Sequence, residues 1–136
     1  AFEGSDGAVM CAAVADYTPD RVSDTKIKKC DGDMCITLRR TRDIAAELGA
    51  HKGGRLLVGF ALETHDEQAH AEAKLEKKNF DFIVLNSLRD AGAGFRGDTN
   101  KVTFIDRTGR EELPLLSKRE VAERIAEAME GLFPKK

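Results

Sequence analysis

This 136-residue chain has almost no net charge: Lys and Arg number 22 against 24 Asp and Glu, a balance of −2. That near-cancellation excludes a generally basic nucleic-acid binder and an acidic tail as descriptions of the whole chain. No apolar run approaches the ~20 residues that a bilayer crossing needs, and no signal peptide opens the sequence. The expectation is a cytoplasmic protein that binds neither membrane nor nucleic acid. Cysteine is sparse. Cys11, Cys30 and Cys35 are an odd number, too few for a disulfide scaffold, and they fit neither redox nor zinc spacing. His65 and His70 are five apart, off a common helical face, and His51 stands alone, so no metal ligand is assigned. A Gly-x-Ser-x-Gly elbow, a Walker lysine and internal repeats are also missing.

What is present is an alternation of short apolar runs with amphipathic segments, on a length suited to one domain or most of one. Residues 8–15 are apolar throughout and suit a strand buried on both faces; 55–61 and 80–85 read the same way. Thr41 can cap a helix running to Gly49, a C′ glycine. Thr64 with Glu67, and Ser117 with Glu120, form capping boxes that open two more helices. Val121, Ile125, Met129 and Leu132 make a core stripe on the last of them. Val102–Ile105 and Leu113–Leu116 flank the turn 106–109 and suggest a terminal hairpin. The pattern implies an α/β fold with a mostly parallel sheet, finished by an antiparallel pair. Residues 17–40, with Pro19, four Asp and three lysines, read as a long excursion that closes as the strand 34–38. Ala1 is not an initiator Met and an apolar run follows within a few residues, so the expectation is a piece of a longer chain.

Several residues could carry chemistry. In a parallel sheet the ligand crevice lies at the C-terminal strand ends. Asp16, expected at the end of the first strand, can hold a metal-bound phosphate or a ribose hydroxyl, or merely start a loop. Phe60 ends the second run and offers an aromatic face to a base, or belongs to the core. Lys26, Lys28 and Lys29 concentrate positive charge, which serves a polyphosphate or an ordinary solvated surface. Lys74 and Lys78, spaced i,i+4, share a helix face and fit either reading. Gly92, Gly94 and Gly97 surround Phe95 without the context of a dinucleotide fingerprint.

Taken in order, residues 12–17 (Ala-Ala-Val-Ala-Asp-Tyr), 26–29 (Lys-Ile-Lys-Lys), Asp43-Ile44, 58–64 (Val-Gly-Phe-Ala-Leu-Glu-Thr), and Gly94-Phe95 with Asp98 and Asn100 resemble the phosphopantothenoylcysteine synthetase family. This is the phosphopantothenate–cysteine ligase that forms the second domain of the bacterial coenzyme A biosynthesis flavoprotein. The resemblance covers nearly the whole chain. It implies a Rossmann-like three-layer domain that forms a homodimer, here without its N-terminal part. It also implies a CTP-dependent reaction of 4′-phosphopantothenate with L-cysteine through an acyl-cytidylate, assisted by Mg²⁺. FMN is implied only if a decarboxylase domain lies upstream.

By position, the resemblance assigns the nucleotide to Asp16, Lys26, Thr41, Arg42, Asp43, Ile44, Phe60, Lys74 and Lys78. Lys26 is the catalytic lysine, on a flap within the 17–40 excursion, and Ala12 and Ala13 lie in a strand tied to dimer formation. The family's Asn-Pro-Asp-Ile is here Thr41-Arg42-Asp43-Ile44, which keeps the acid and loses the proline. The glycine-rich first turn and the asparagine of the family's N-terminal part are absent, so residues 1–136 by themselves are expected to be inactive. The alternatives are a non-catalytic nucleotide-binding or oligomerisation module, and a dinucleotide-dependent oxidoreductase of generic type.

Overall fold

A computed structural model describes residues 2–29, 31–63, 66–87 and 98–133. In chain order the strands are β1 (Gly7–Met10), β2 (Tyr17–Pro19), β3 (Leu38–Arg40), β4 (Leu56–Glu63), β5 (Phe82–Ser87), β6 (Thr99–Asn100), β7 (Val102–Ile105), β8 (Arg110–Glu112) and β9 (Leu116–Ser117). The helices are α1 (Ile44–Ala50), α2 (Glu67–Lys77) and α3 (Lys118–Leu132). They fall into two compact units, Ala1–Cys11 with Ala45–Lys136, and Ala12–Ile44.

The larger unit is built on a five-stranded sheet of order β1-β4-β5-β7-β8. β1, β4 and β5 run parallel, in register Val9↔Val58 and Val58↔Phe82, while β7 and β8 add antiparallel. Alternation along β4 sends Leu57 and Ala61 to one face, where Ala71 and Leu75 of α2 and the Phe80 ring complete a core. Val58 goes to the other face, with Phe82, Val84, Val102 and Phe104, beneath Val121 and Ile125 of α3. One helix layer therefore covers each face of the sheet. β8 borders the sheet with three exposed charged residues, whereas β1, at the opposite border, is Gly-Ala-Val-Met.

At the start of the parallel strands, Asp81 fastens β5 to β4. Its carboxylate accepts from Lys52 Nζ at 2.8 Å and from the Leu57 N–H at 2.7 Å, and its own N–H donates to Leu57 O at 2.8 Å. In the β7–β8 turn the Asp106 carboxylate accepts from the Thr108 N–H and hydroxyl and from the Gly109 N–H. The Thr108 hydroxyl, at 2.7 Å, holds the Asp106 carboxyl below its ordinary 3.8; partial burial opposes this, and the two backbone N–H groups add to the lowering. At the head of α3, Ser117 and Glu120 form the expected capping box, and the Ser117 hydroxyl and N–H hold Glu120 below its ordinary value.

Several local expectations are corrected. The first strand ends at Met10, where its pairing with β4 stops, and residues 11–17 are exposed rather than buried. Ala12 and Ala13 therefore lie outside any strand. Thr41 does not cap α1; its hydroxyl donates instead to Ala15 O at 2.7 Å. Gly49 lies inside α1, and it is glycine because a Cβ there would meet Lys78 O at 1.9 Å. Asp66, in left-handed conformation, precedes α2, and Thr64 lies outside the described residues. The hairpin partner of β7 is Arg110–Glu112 rather than Leu113–Leu116, because a four-residue turn sets Ile105 opposite Arg110. On α3, Val121 and Ile125 are buried and Met129 packs against them, but Leu132 is exposed.

The smaller unit is a two-stranded antiparallel ribbon of β2 and β3, with Tyr17 opposite Arg40. Its second strand is thus 38–40 and not 34–38. The Arg40 guanidinium lies 5.8 Å from the Tyr17 ring centroid, and the Asp20 N–H extends the ribbon to Thr37 O. No described residue from 12 to 44 is buried, although Val14, Tyr17, Val22, Ile27, Met34, Ile36, Leu38 and Ile44 are apolar and open.

Candidate functional site

Two of the nine assigned residues are brought together in the smaller unit. The Thr41 N–H donates to Asp16 O at 3.0 Å and its hydroxyl to Ala15 O, closing the ribbon at the mouth of β2 and β3. Asp16 therefore sits at the entrance of a ribbon instead of at the end of a buried strand, and its carboxylate is exposed. Arg42, Asp43 and Ile44 follow directly, with the Ile44 N–H donating to Arg42 O at 3.1 Å. Lys26 lies in the exposed stretch between β2 and β3 that has no regular secondary structure, together with Lys28 and Lys29.

Phe60 belongs to the larger unit. β4 continues to Glu63, so Phe60 is inside the strand, opposite Val84 of β5. Leu56 to Gly59 and Ala61 are buried, yet Phe60 is 37% exposed. Period-two alternation places it on the α3 side of the sheet, with Val58 below and Leu62, 39% exposed, above. Beside Leu62, in register, is Asn86 of β5, whose Oδ1 is buried without a hydrogen-bond partner. Leu62 lies in the 58–64 motif without a role of its own, and Asn86, just past the 80–85 run, carries no signal in the sequence.

Lys74 lies in the last turn of α2 and Lys78 is its C-cap, whose N–H donates to Lys74 O. The structure does not bring them to Phe60. α2 packs on the Leu57–Ala61 side of the sheet, and Lys78 precedes by three residues the point where Asp81 joins Leu57 at the start of β4. They lie on the opposite face and toward the N-terminal strand ends. The glycine-rich stretch around Phe95, His65 and Cys30 lie outside the described residues. No group of three or more His, Cys, Asp or Glu that could hold a metal ion occurs among the described residues, and no described helix is long and apolar enough to cross a membrane.

Three parallel strands with a helix layer on each face, completed by an antiparallel pair, define a Rossmann-like α/β domain. The chain belongs to the DNA/pantothenate metabolism flavoprotein C-terminal domain family, which matches residues 1–132. It is 46% identical over 132 residues to the coenzyme A biosynthesis bifunctional protein CoaBC of Bacillus subtilis (strain 168), an overlap of 96% of this chain and 32% of that protein. It is 55% identical over 124 residues to a cysteine/cysteine sulfinic acid decarboxylase of an unknown prokaryotic organism, covering 90% and 34%. The chain thus spans about a third of the length of these relatives. Among solved structures, the C-terminal domain of a CoaBC superposes with a TM-score of 0.75 at 38% identity, over 96% of this chain and 56% of that one. A DNA/pantothenate metabolism flavoprotein from Streptococcus pneumoniae, at 21% identity and a TM-score of 0.71 over 96% and 63%, shares the fold.

Proposed function

We propose that the chain supplies the nucleotide half-site of a CTP-dependent phosphopantothenate–cysteine ligase in coenzyme A biosynthesis. The observation that carries the reading is Phe60, an aromatic residue left 37% exposed between buried Gly59 and Ala61, in a chain 46% identical to a CoaBC protein. An apolar ring facing solvent loses the stabilisation of burial, and a stacked base restores it.

In the proposed reaction the carboxylate of 4′-phosphopantothenate attacks the α-phosphate of CTP. A carboxylate–phosphorus bond forms, the bond to the bridging oxygen breaks, and pyrophosphate leaves. The amine of L-cysteine then attacks the acyl carbon and expels CMP, giving the amide and releasing a proton. Lys26 neutralises charge as pyrophosphate departs. Asp16 accepts a ribose hydroxyl or orders the triphosphate-bound Mg²⁺, and segment 41–44 contacts the nucleotide in part through backbone. Mg²⁺ enters as part of the nucleotide substrate. FMN belongs with a decarboxylase domain in a longer chain, and no residue here is assigned to it. Lys74 and Lys78 are not included in the site around Phe60 of the same chain.

The ribbon supports a second, compatible element, a homodimer. A two-stranded ribbon is marginal by itself, and eight open apolar side chains with no buried residue among those described call for a covering surface, which a second copy provides.

The test is CMP release by the full-length protein given CTP, 4′-phosphopantothenate and cysteine. Lys26→Gln is expected to abolish turnover while leaving the thermal transition in place, and residues 1–136 alone are expected to release none. Turnover unchanged by Lys26→Gln, or binding of NAD in preference to CTP, refutes the ligase reading. A wild-type protein that binds CTP without turnover, and whose affinity Lys26→Gln weakens, favours a binding module.

A further inference from the structure

We propose that Phe80 is a positioning residue for the base platform, acting through Gly59 on Phe60. The proposal rests on the nucleotide reading above. A glycine inside a strand weakens it and marks a place where something approaches the backbone closely. At Gly59 the approaching group is the Phe80 ring: a Cβ at position 59 would lie 2.5, 2.7 and 2.8 Å from its Cε2, Cζ and Cδ2 atoms. A flank of the ring therefore lies directly against the strand from the α2 side.

The ring is itself held firmly. It is 4% exposed, the Phe80 N–H donates to Leu75 O at 3.0 Å, and its carbonyl accepts from Arg107 Nη1 at 3.2 Å. The preceding Asn79, left-handed at φ 51°, donates from Nδ2 to Gly49 O at 2.9 Å and accepts from Arg107 Nη2 at 3.2 Å. Helix, turn and strand thus fix Phe80 from three directions. Phe60 shares a peptide bond with Gly59 and projects from the opposite face, where it is 37% exposed among the described residues. Phe80 buttresses the strand from behind at the residue where the platform stands in front, so the platform does not recede when a base presses on it.

A purely structural role would lower stability or weaken every ligand alike, whereas a buttress for Phe60 acts on the base alone. The experiment measures binding of CMP and of inorganic tripolyphosphate to the full-length protein, with folding followed by circular dichroism. Phe60→Ala is expected to weaken CMP by about tenfold, the scale of one base–aromatic stack. Phe80→Leu, which keeps an apolar filler but no flat ring, is expected to weaken CMP by roughly threefold through a misplaced stack and to leave tripolyphosphate unchanged. Gly59→Ala is expected to act in the same direction; if it does not fold, Phe80→Leu decides alone. CMP affinity in Phe80→Leu within about twofold of wild type, while Phe60→Ala is weakened, overturns the buttress and leaves the nucleotide reading standing. Equal weakening of CMP and tripolyphosphate by Phe80→Leu also overturns it. CMP affinity unchanged in Phe60→Ala overturns the nucleotide reading and the buttress with it.

Discussion

Replacing Asp81 by Ala tests what holds the parallel strands at their start. The carboxylate serves two donors at once, Lys52 Nζ at 2.8 Å and the Leu57 N–H at 2.7 Å. The Lys52 side chain is 11% exposed and that of Asp81 21%, so truncation leaves an ammonium group in a dry setting and an amide without an acceptor. Removing one partner of a buried pair costs about 3–5 kcal/mol, including the penalty of the stranded charge. A fifth of the Asp81 side chain meets water, which places the expected loss near the lower end, about 3 kcal/mol. Lys52→Met removes the charge and keeps the alkyl stem, leaving the Asp81–Leu57 bond intact, so its expected cost is about 1 kcal/mol. The two changes should not add. Lys52→Met placed on Asp81→Ala removes the stranded ammonium and should recover about 1 kcal/mol or more. Urea denaturation at constant slope reads these differences as shifts in midpoint. A loss below about 1 kcal/mol for Asp81→Ala, or a double variant no more stable than Asp81→Ala, refutes the account.

Thr108→Val tests the turn between β7 and β8. The hydroxyl is the largest cause of the lowered Asp106 pKa, so its loss should raise that pKa toward 3.8. A depressed carboxyl stabilises the fold above its unfolded value and loses that contribution as pH falls through the folded value, so the effect belongs below about pH 4. A carboxyl-carbon NMR titration showing no upward movement of Asp106 contradicts it. Ser117→Ala removes the oxygen that accepts the Glu120 N–H. The expected cost is about 1 kcal/mol, read as a lower urea midpoint; an unchanged midpoint means that the α3 cap is dispensable.

Much of the fold was legible because local chemistry and tertiary packing agree. Leu56–Val58 and Ile83–Leu85 are runs of bulky apolar residues that suit only the interior of a sheet, and Ser117 with Glu120 closes its capping box from residues three apart. The errors arise where a distant partner decides. Thr41 looks like a helix cap, but its hydroxyl is taken by Ala15 O, 26 residues away. Gly49 looks like a helix stop, while its hydrogen side chain is required by Lys78 O from another helix. The alanine-rich stretch after Met10 is apolar by composition, but small side chains bury little area, and β1 stops there although β4 runs on to Glu63. For the site, the i,i+4 spacing puts Lys74 in the last turn of α2 and Lys78 at its C-cap. The side of the sheet on which α2 packs is not written in that helix, and it separates the pair from Phe60.

The two borders of the central sheet are unequally guarded. Arg110, Glu111 and Glu112 all face water along β8, and charges in such a row repel a foreign strand that tries to add there. β1 offers Gly7, Ala8, Val9 and Met10, with no gatekeeper among them. At high concentration, strand addition is expected to start at β1 rather than at β8.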